Sequence, residues 1–248
     1  MNQSNPRVVL IAITKHAVAQ IPLVASSLPD AEIIVSEKFA DTLKGLSNRI
    51  HVYQGALSAQ IGELFSRYDQ MVFFVSLGAV VRLIAPHLKS KDEDPGVVVI
   101  DDAAQFVIPV LSGHVGGANA YAEKLAGLLK ATAVITTASD ARNTIPVDIL
   151  GRELGWKIEA PKMNVTRVSA HVVNEEPIAL VQECGSRNWW TRSSPLPKYI
   201  YLFDTFESVN LSEFKAVLWI TRRSIPESLW KDLEERLVVY RPPEGQEA

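Results

Sequence analysis

The stretch Val110 to Asn119, VLSGHVGGAN, sets one histidine among three glycines at the join between an apolar run and an amphipathic one. An imidazole titrates near neutral pH, so His114 is the side chain of this stretch best suited to take a proton from water. Gly113, Gly116 and Gly117 leave the backbone bare around His114, the Gly116 and Gly117 amides can serve a developing oxyanion, and Asn119 can cap or line the start of the following helix. The plain alternative is a turn with a structural histidine. Ser112 invites a serine-hydrolase reading, but no G-x-S-x-G elbow surrounds it, and residues two apart on a strand rarely meet as nucleophile and base. The pattern is neither G-x-G-x-x-G nor a phosphate loop, so dinucleotide and ATP readings lack support.

Two more joins of the same kind follow apolar runs. In VSLGAVVRLIAPHL, Ser76, Gly78 and Arg82 open a helix whose free N–H groups and nearby guanidinium suit an anion; the alternative is a turn glycine and a snorkelling arginine. In TTASDA, Thr136, Thr137 and Asp140 offer hydroxyls and a carboxylate to a polar ligand group, although Ser and Asp also simply form turns. Asp101 and Asp102 read as a turn before an acid/base pair. Trp189 and Trp190 read either as a stacking platform or as a lid over the core.

The elements that must position these residues alternate. Strand-like runs fall at 7–14, 32–36, 50–54, 71–77, 96–101, 105–111 and 132–137, with helical periodicity at 57–67, 78–88 and 117–130. Apolar strands separated by helices predict an α/β fold, a mostly parallel sheet with helices on both faces. The runs 96–101 and 105–111 lie close enough for a hairpin. If the three joins end parallel strands, His114, Gly78 and Asp140 share one cleft at the strands' carboxyl ends. After Asp140 the texture changes: ARNTIPVDILGRELGWKI predicts one helix then a strand, followed by shorter elements. The expected organisation is an N-terminal α/β domain over 1–140 and a smaller α/β domain over 141–248.

Composition narrows the function classes. The chain has 248 residues, 47% hydrophobic and 21% charged, with net charge −3, which offers no basic face for nucleic acid or acidic lipid. The single cysteine, Cys184, excludes an internal disulfide framework and gives no support to a thiolate zinc site. The apolar run Val8–Ile13 is too short to span a bilayer, so no membrane partner is expected and the cytoplasm is the expected compartment.

Residues 76–140 resemble the CbiG family of cobalamin biosynthesis. The resemblance rests on G-A-x-V-R (Gly78, Ala79, Arg82), a V-x-x-x-D strand end, L-S-G-H-x-G-G-A-N, and V-I-T-T-A-S-D. NTIPVDILGRELGWKIEAPKMNV is similar to the family's second region. The resemblance implies hydrolysis of cobalt-precorrin-5A: water opens the ring-A δ-lactone and a two-carbon fragment leaves as acetaldehyde. It implies no cofactor and no protein metal site, since cobalt arrives with the substrate. Under it, His114 and Asp140 become the candidate catalytic residues. Ser76, Gly78, Ala79, Arg82, Ser112, Gly113, Gly116, Gly117, Asn119, Thr136 and Thr137 become candidate contacts to the substrate's carboxylates. Family members commonly continue into a third, C-terminal region, expected to be a separate chain here or dispensable; neighbouring pathway enzymes are further expected partners. The rival readings are a non-catalytic tetrapyrrole carrier and another hydrolase or lyase of a small polyanion.

Overall fold

The computed structural model describes residues 6–245. The chain divides into two compact units, Met1–Thr136 and Thr137–Ala248, against a boundary expected after 140. Among the described residues no helix is long and apolar enough to cross a membrane.

The first unit holds a seven-stranded sheet in the order β3-β2-β1-β4-β5-β6-β7. Its strands are β1 (Val8–Ala12), β2 (Glu32–Ser36), β3 (Ile50–Tyr53), β4 (Gln70–Phe74), β5 (Gly96–Ile100), β6 (Phe106–Leu111) and the short β7 (Thr132–Ala133). Every residue of β1, β4 and β5 is buried, as expected for strands covered on both faces. Helices α1 (Lys15–Ala25) and α4 (Ala118–Leu129) cover one face, where Val18, Ile21, Tyr121, Ala122 and Leu125 pack on Leu10, Val72, Phe74 and Ile100. Helices α2 (Ser58–Arg67) and α3 (Leu77–Ile84) cover the other, with Ile61, Leu64, Phe65 and Val80 on Val9, Ile11, Met71 and Phe73. The Thr14 hydroxyl accepts from the Ala17 amide to cap α1, and Pro22 lies inside that helix.

Strands β1 to β5 run parallel. Strand β1 pairs with β2 on one side and β4 on the other, so the winding reverses between β1 and β4. Strand β6 breaks the pattern, pairing antiparallel with β5 through Val99↔Ile108 and Ile100↔Val107, and β7 runs parallel to β6. The hairpin expected from 96–101 and 105–111 therefore forms. Asp101 closes it, its carboxylate accepting from the Ala103 and Phe106 amides.

The second unit holds a five-stranded sheet, β10-β9-β11-β12-β8. Strands β9 (Ile178–Gln182), β10 (Ile200–Phe203), β11 (Ala216–Ile220) and β12 (Leu237–Arg241) are parallel, and β8 (Lys157–Glu159) is an antiparallel edge. The single helix expected after Asp140 does not form. Only the four-residue α5 (Ala138–Ala141) and a 3₁₀ turn at 152–154 are helical before β8. Gly151 and Gly155 sit at φ 71° and 77°, a conformation a helix interior does not use. Helix α6 (Lys162–Val173) covers one face, while α7 (Glu227–Asp232) precedes β12. Trp189 and Trp190 pack on the core that holds Ile178, Leu180 and Leu218, their indole N–H groups donating to Gln182 and to the Ser194 carbonyl. They lie where the β9–β10 crossover has no helix.

Candidate functional site

The hairpin decides where the candidate residues stand. A four- or five-residue connection joins only antiparallel neighbours, so β6 leaves the sheet at the edge where β4 and β5 begin. Ser112 to Asn119 therefore lie beside Gln70 and Gly96: the Gln70 amide donates to the Gly116 carbonyl, and a Cβ on Gly116 would stand 3.2 Å from the Gly96 nitrogen. Ser76, Gly78, Ala79 and Arg82 follow β4 at the opposite edge. With ~3.3 Å per residue, five-residue β4 separates the two groups by ~16 Å. The single cleft expected to hold His114 and Gly78 together does not exist in this unit.

The His114 edge is a tightly built turn. Ser112 has φ 53° and Gly117 φ 79°, so the chain doubles back before α4. The Gly117 amide donates to the His114 carbonyl, Ala118 to Ser112 and Asn119 to Gly113, at 3.0, 3.3 and 3.0 Å. These are the donors a helix start would otherwise offer an anion, and the turn uses them itself, which removes Gly117 as an oxyanion donor. Gly116 is there for want of room, since a Cβ would fall 2.4 Å from Ser112 Cβ; at Gly113 a Cβ would fall 2.6 Å from Asn119 Oδ1, the end of a side chain that would have to turn aside. Burial raises the Tyr121 hydroxyl's pKa, keeping it neutral next to this turn on α4. Because β7 runs parallel to β6, Val134–Thr136 leave the sheet at this same edge.

Thr137 and Asp140 belong to the second unit. The Asp140 carboxylate accepts from Arg192 Nη2 at 2.6 Å and from the Thr137 hydroxyl at 2.6 Å. Arg192 also stacks over Trp190. This ion pair, about three-quarters buried on both sides, commits the carboxylate to holding α5 in place.

The opposite edge of the first unit is open. Where the winding reverses, Ile13, Ala56, Leu57, Ser58, Ala79, Arg82, Leu83, Pro86 and His87 line a crevice of about 570 Å³. Ser76, Leu77 and Gly78 are exposed at the start of α3. Gly78 is not a turn glycine: its φ is ordinary, and a Cβ would meet only Arg82 Nη1, at 3.4 Å. Arg82 donates to its own helix at the Gly78 carbonyl and, among the described residues, pairs with no carboxylate. Nearby Asp102 accepts from the Thr14 hydroxyl at 2.8 Å, tying β5 to the start of α1. Sequence reasoning missed Leu57, Ser58 and His87, which only the crossover brings together. It also missed Gln70, whose signal was a polar residue opening an otherwise apolar strand. Among the described residues no group of three or more His, Cys, Asp or Glu side chains could hold a metal ion.

Fold and edges together define a two-unit α/β protein whose first unit is doubly wound. Residues 59–140 match the family model for the N-terminal region of cobalamin synthesis protein G, and residues 145–242 that for the cobalamin biosynthesis central region. The chain belongs to the CbiG family. It is 42% identical to a cobalt-precorrin-5A hydrolase of Priestia megaterium over 94% of this chain and 62% of the relative. It is 30% identical to one of Salmonella typhimurium over 96% of this chain and 66% of the relative. The chain thus spans slightly less than two thirds of the length of these relatives. A solved cobalamin biosynthesis protein G homolog from Sulfolobus solfataricus covers 95% of this chain and 60% of its own length, at 22% identity and a TM-score of 0.47.

Proposed function

We propose that this chain hydrolyses cobalt-precorrin-5A in the cytoplasm, opening the ring-A lactone and releasing acetaldehyde, with cobalt carried by the substrate. The observation that carries the reading is the 42% identity with a cobalt-precorrin-5A hydrolase over 94% of the chain. In this reading His114 takes the proton of the attacking water. The Gly116 N–H, which has no partner among the described residues, faces the lactone oxygen as negative charge develops there. Asp140, tied to Arg192 and Thr137, serves as an anchor of α5 and not as the base.

The test is paired. Purified protein is incubated with cobalt-precorrin-5A and acetaldehyde is assayed, with thermal unfolding of the same samples. His114→Ala and His114→Asn should both keep the fold and lose turnover about 10²–10⁴-fold, the usual share of a general base. Full turnover in a stable His114→Ala protein removes the histidine from the mechanism. Absence of acetaldehyde with the wild type, together with tight substrate binding, turns the reading toward a carrier.

A further inference from the structure

Strand β4 opens on a buried amide. Gln70 is 5% exposed, in a strand whose other side chains are all apolar. Its register partner on β5 is Gly96, where a Cβ would stand 2.3 Å from Gln70 Oε1. A Cβ on Gly117 would stand 3.3 Å from Nε2. The bare backbone at Gly96 therefore lets the side chain cross β5 and reach the turn after β6, where Nε2 donates to the Gly116 carbonyl. The turn's own bonds close it upon itself, and Gln70 ties it to the parallel strands.

Two polar atoms beside this tie are left over. Gln70 Oε1 and the Ser112 hydroxyl oxygen are both buried and have no hydrogen-bond partner among the described residues. They flank one residue: the Gln70 amide holds the Gly116 carbonyl, and Ser112 Cβ stands 2.4 Å from where Gly116 would carry its own. The Tyr121 hydroxyl, buried and unpartnered too, belongs to the same side of the sheet as Val72 and Val98. Buried polar atoms without partners are uncommon, so a group of them points to a small polar ligand. An amide oxygen only accepts, so that ligand must donate, which excludes an anion. A water molecule donates and accepts, and suits both the amide and the hydroxyl. Burial also keeps the Ser112 oxygen from the carboxylates of a bulky substrate.

We propose that Gln70 positions the His114 turn from two strands away, gripping the Gly116 carbonyl directly and the Ser112 hydroxyl through one buried water. The two grips fall on either side of His114 and fix its backbone from both ends. Gln70 is a positioning residue: it acts through the turn and touches no reacting atom. Its effect on turnover rests on the hydrolase reading; its hold on the turn does not.

Gln70→Met keeps an unbranched, buried side chain and removes both grips. In the full chain, the ring-proton NMR signals of the five histidines report the result, His114 being identified by its loss in His114→Asn. The His114 signal should move in Gln70→Met, while those of His16, His51, His87 and His171 stay. Ser112→Ala removes only the second grip and should move the signal less, and the double variant should fall short of the sum. Turnover in Gln70→Met should fall about 10- to 100-fold with KM unchanged, the scale for a catalytic group displaced by about an ångström. Gln70→Asn, an amide too short to reach Gly116, should behave alike and serves if Gln70→Met fails to fold. A high-resolution crystal structure of the wild type should show one water bonded to both Gln70 Oε1 and Ser112 Oγ. An unmoved His114 signal in the folded Gln70 variants overturns the proposal, and so do dry Gln70 and Ser112 oxygens in that crystal structure. A wild type that releases no acetaldehyde, while its His114 signal responds to Gln70→Met, brings down the hydrolase reading and leaves the positioning in place.

Discussion

Two glycines of one motif region should respond to the same substitution with opposite signs. A methyl group at Gly116 would sit 2.4 Å from Ser112 Cβ, 2.8 Å from the Ser112 carbonyl oxygen and 3.2 Å from the Gly96 nitrogen. None of these atoms is the end of a flexible side chain. Ser112 is already held at φ 53°, and Gly96 begins a buried strand, so the turn itself must move. Overpacking of this kind costs about 1–3 kcal/mol. Gly127 lies inside α4 with nothing within 4 Å of its would-be Cβ. Alanine there gains helix propensity and restricts the unfolded chain, worth about 0.5–1 kcal/mol.

The assay is thermal unfolding of Gly116→Ala and Gly127→Ala beside the wild type. At ~2–4 °C per kcal/mol for a protein of this size, the first Tm should fall by roughly 2–12 °C and the second rise by roughly 1–4 °C. On the proposed hydrolysis, acetaldehyde release measured well below both transitions should drop in Gly116→Ala by more than its unfolded fraction explains, because the displaced turn carries His114. It should be unchanged in Gly127→Ala. A Gly116→Ala protein that melts with the wild type would refute the packing argument, since the turn would then have slack that these distances deny.

Two further perturbations probe the ion pairs. Arg192→Ala leaves a mostly buried Asp140 carboxylate without its guanidinium and should lower stability by about 1–3 kcal/mol; an unchanged Tm would show that α5 is held by other contacts. Glu32 is the second case. Burial pushes its pKa up, but hydrogen bonds from Tyr68 and His51 and the charge of Arg67 outweigh burial and hold it below the usual carboxylate range. A depressed carboxylate contributes stability that is complete above its unfolded pKa of about 4.3 and is lost as pH falls through the folded value. The wild type should therefore lose stability below about pH 4.5 more steeply than Glu32→Gln, as read by denaturant unfolding across pH, and parallel curves would refute the linkage.

Much of the first unit was legible because period and burial agree: fully apolar runs such as Val8–Ala12 and Gly96–Ile100 can only be strands covered twice. What failed was direction. Three joins looked alike, each an apolar run followed by small residues and a helix, and likeness suggested one edge. The hairpin that separates them was itself readable from the short polar link between two strand-like runs. Its consequence is geometric: one antiparallel step sends Ser112–Asn119 and Thr136 to one edge and leaves Ser76–Arg82 at the other. The second unit was less legible because its middle is built from positive-φ glycines and 3₁₀ turns, whose conformations no periodicity announces.

That division also changes what the glycines mean. Read from the sequence, those around His114 open a path for a bulky substrate, and Gly78 either lets a ligand approach the backbone or turns the chain. In the structure the two cases part. Gly116 is required by contacts inside the turn and Gly117 by its φ, while the amides of Gly117, Ala118 and Asn119 are spent within it. Gly78, with ordinary backbone angles and no crowding, is the glycine whose missing side chain keeps a surface accessible. Under the proposed hydrolysis a rigid turn still serves His114, since a general base gains from being held in one geometry. Its spent amides leave little to hold an anion, so under the proposed hydrolysis affinity for the substrate must come from elsewhere on the protein.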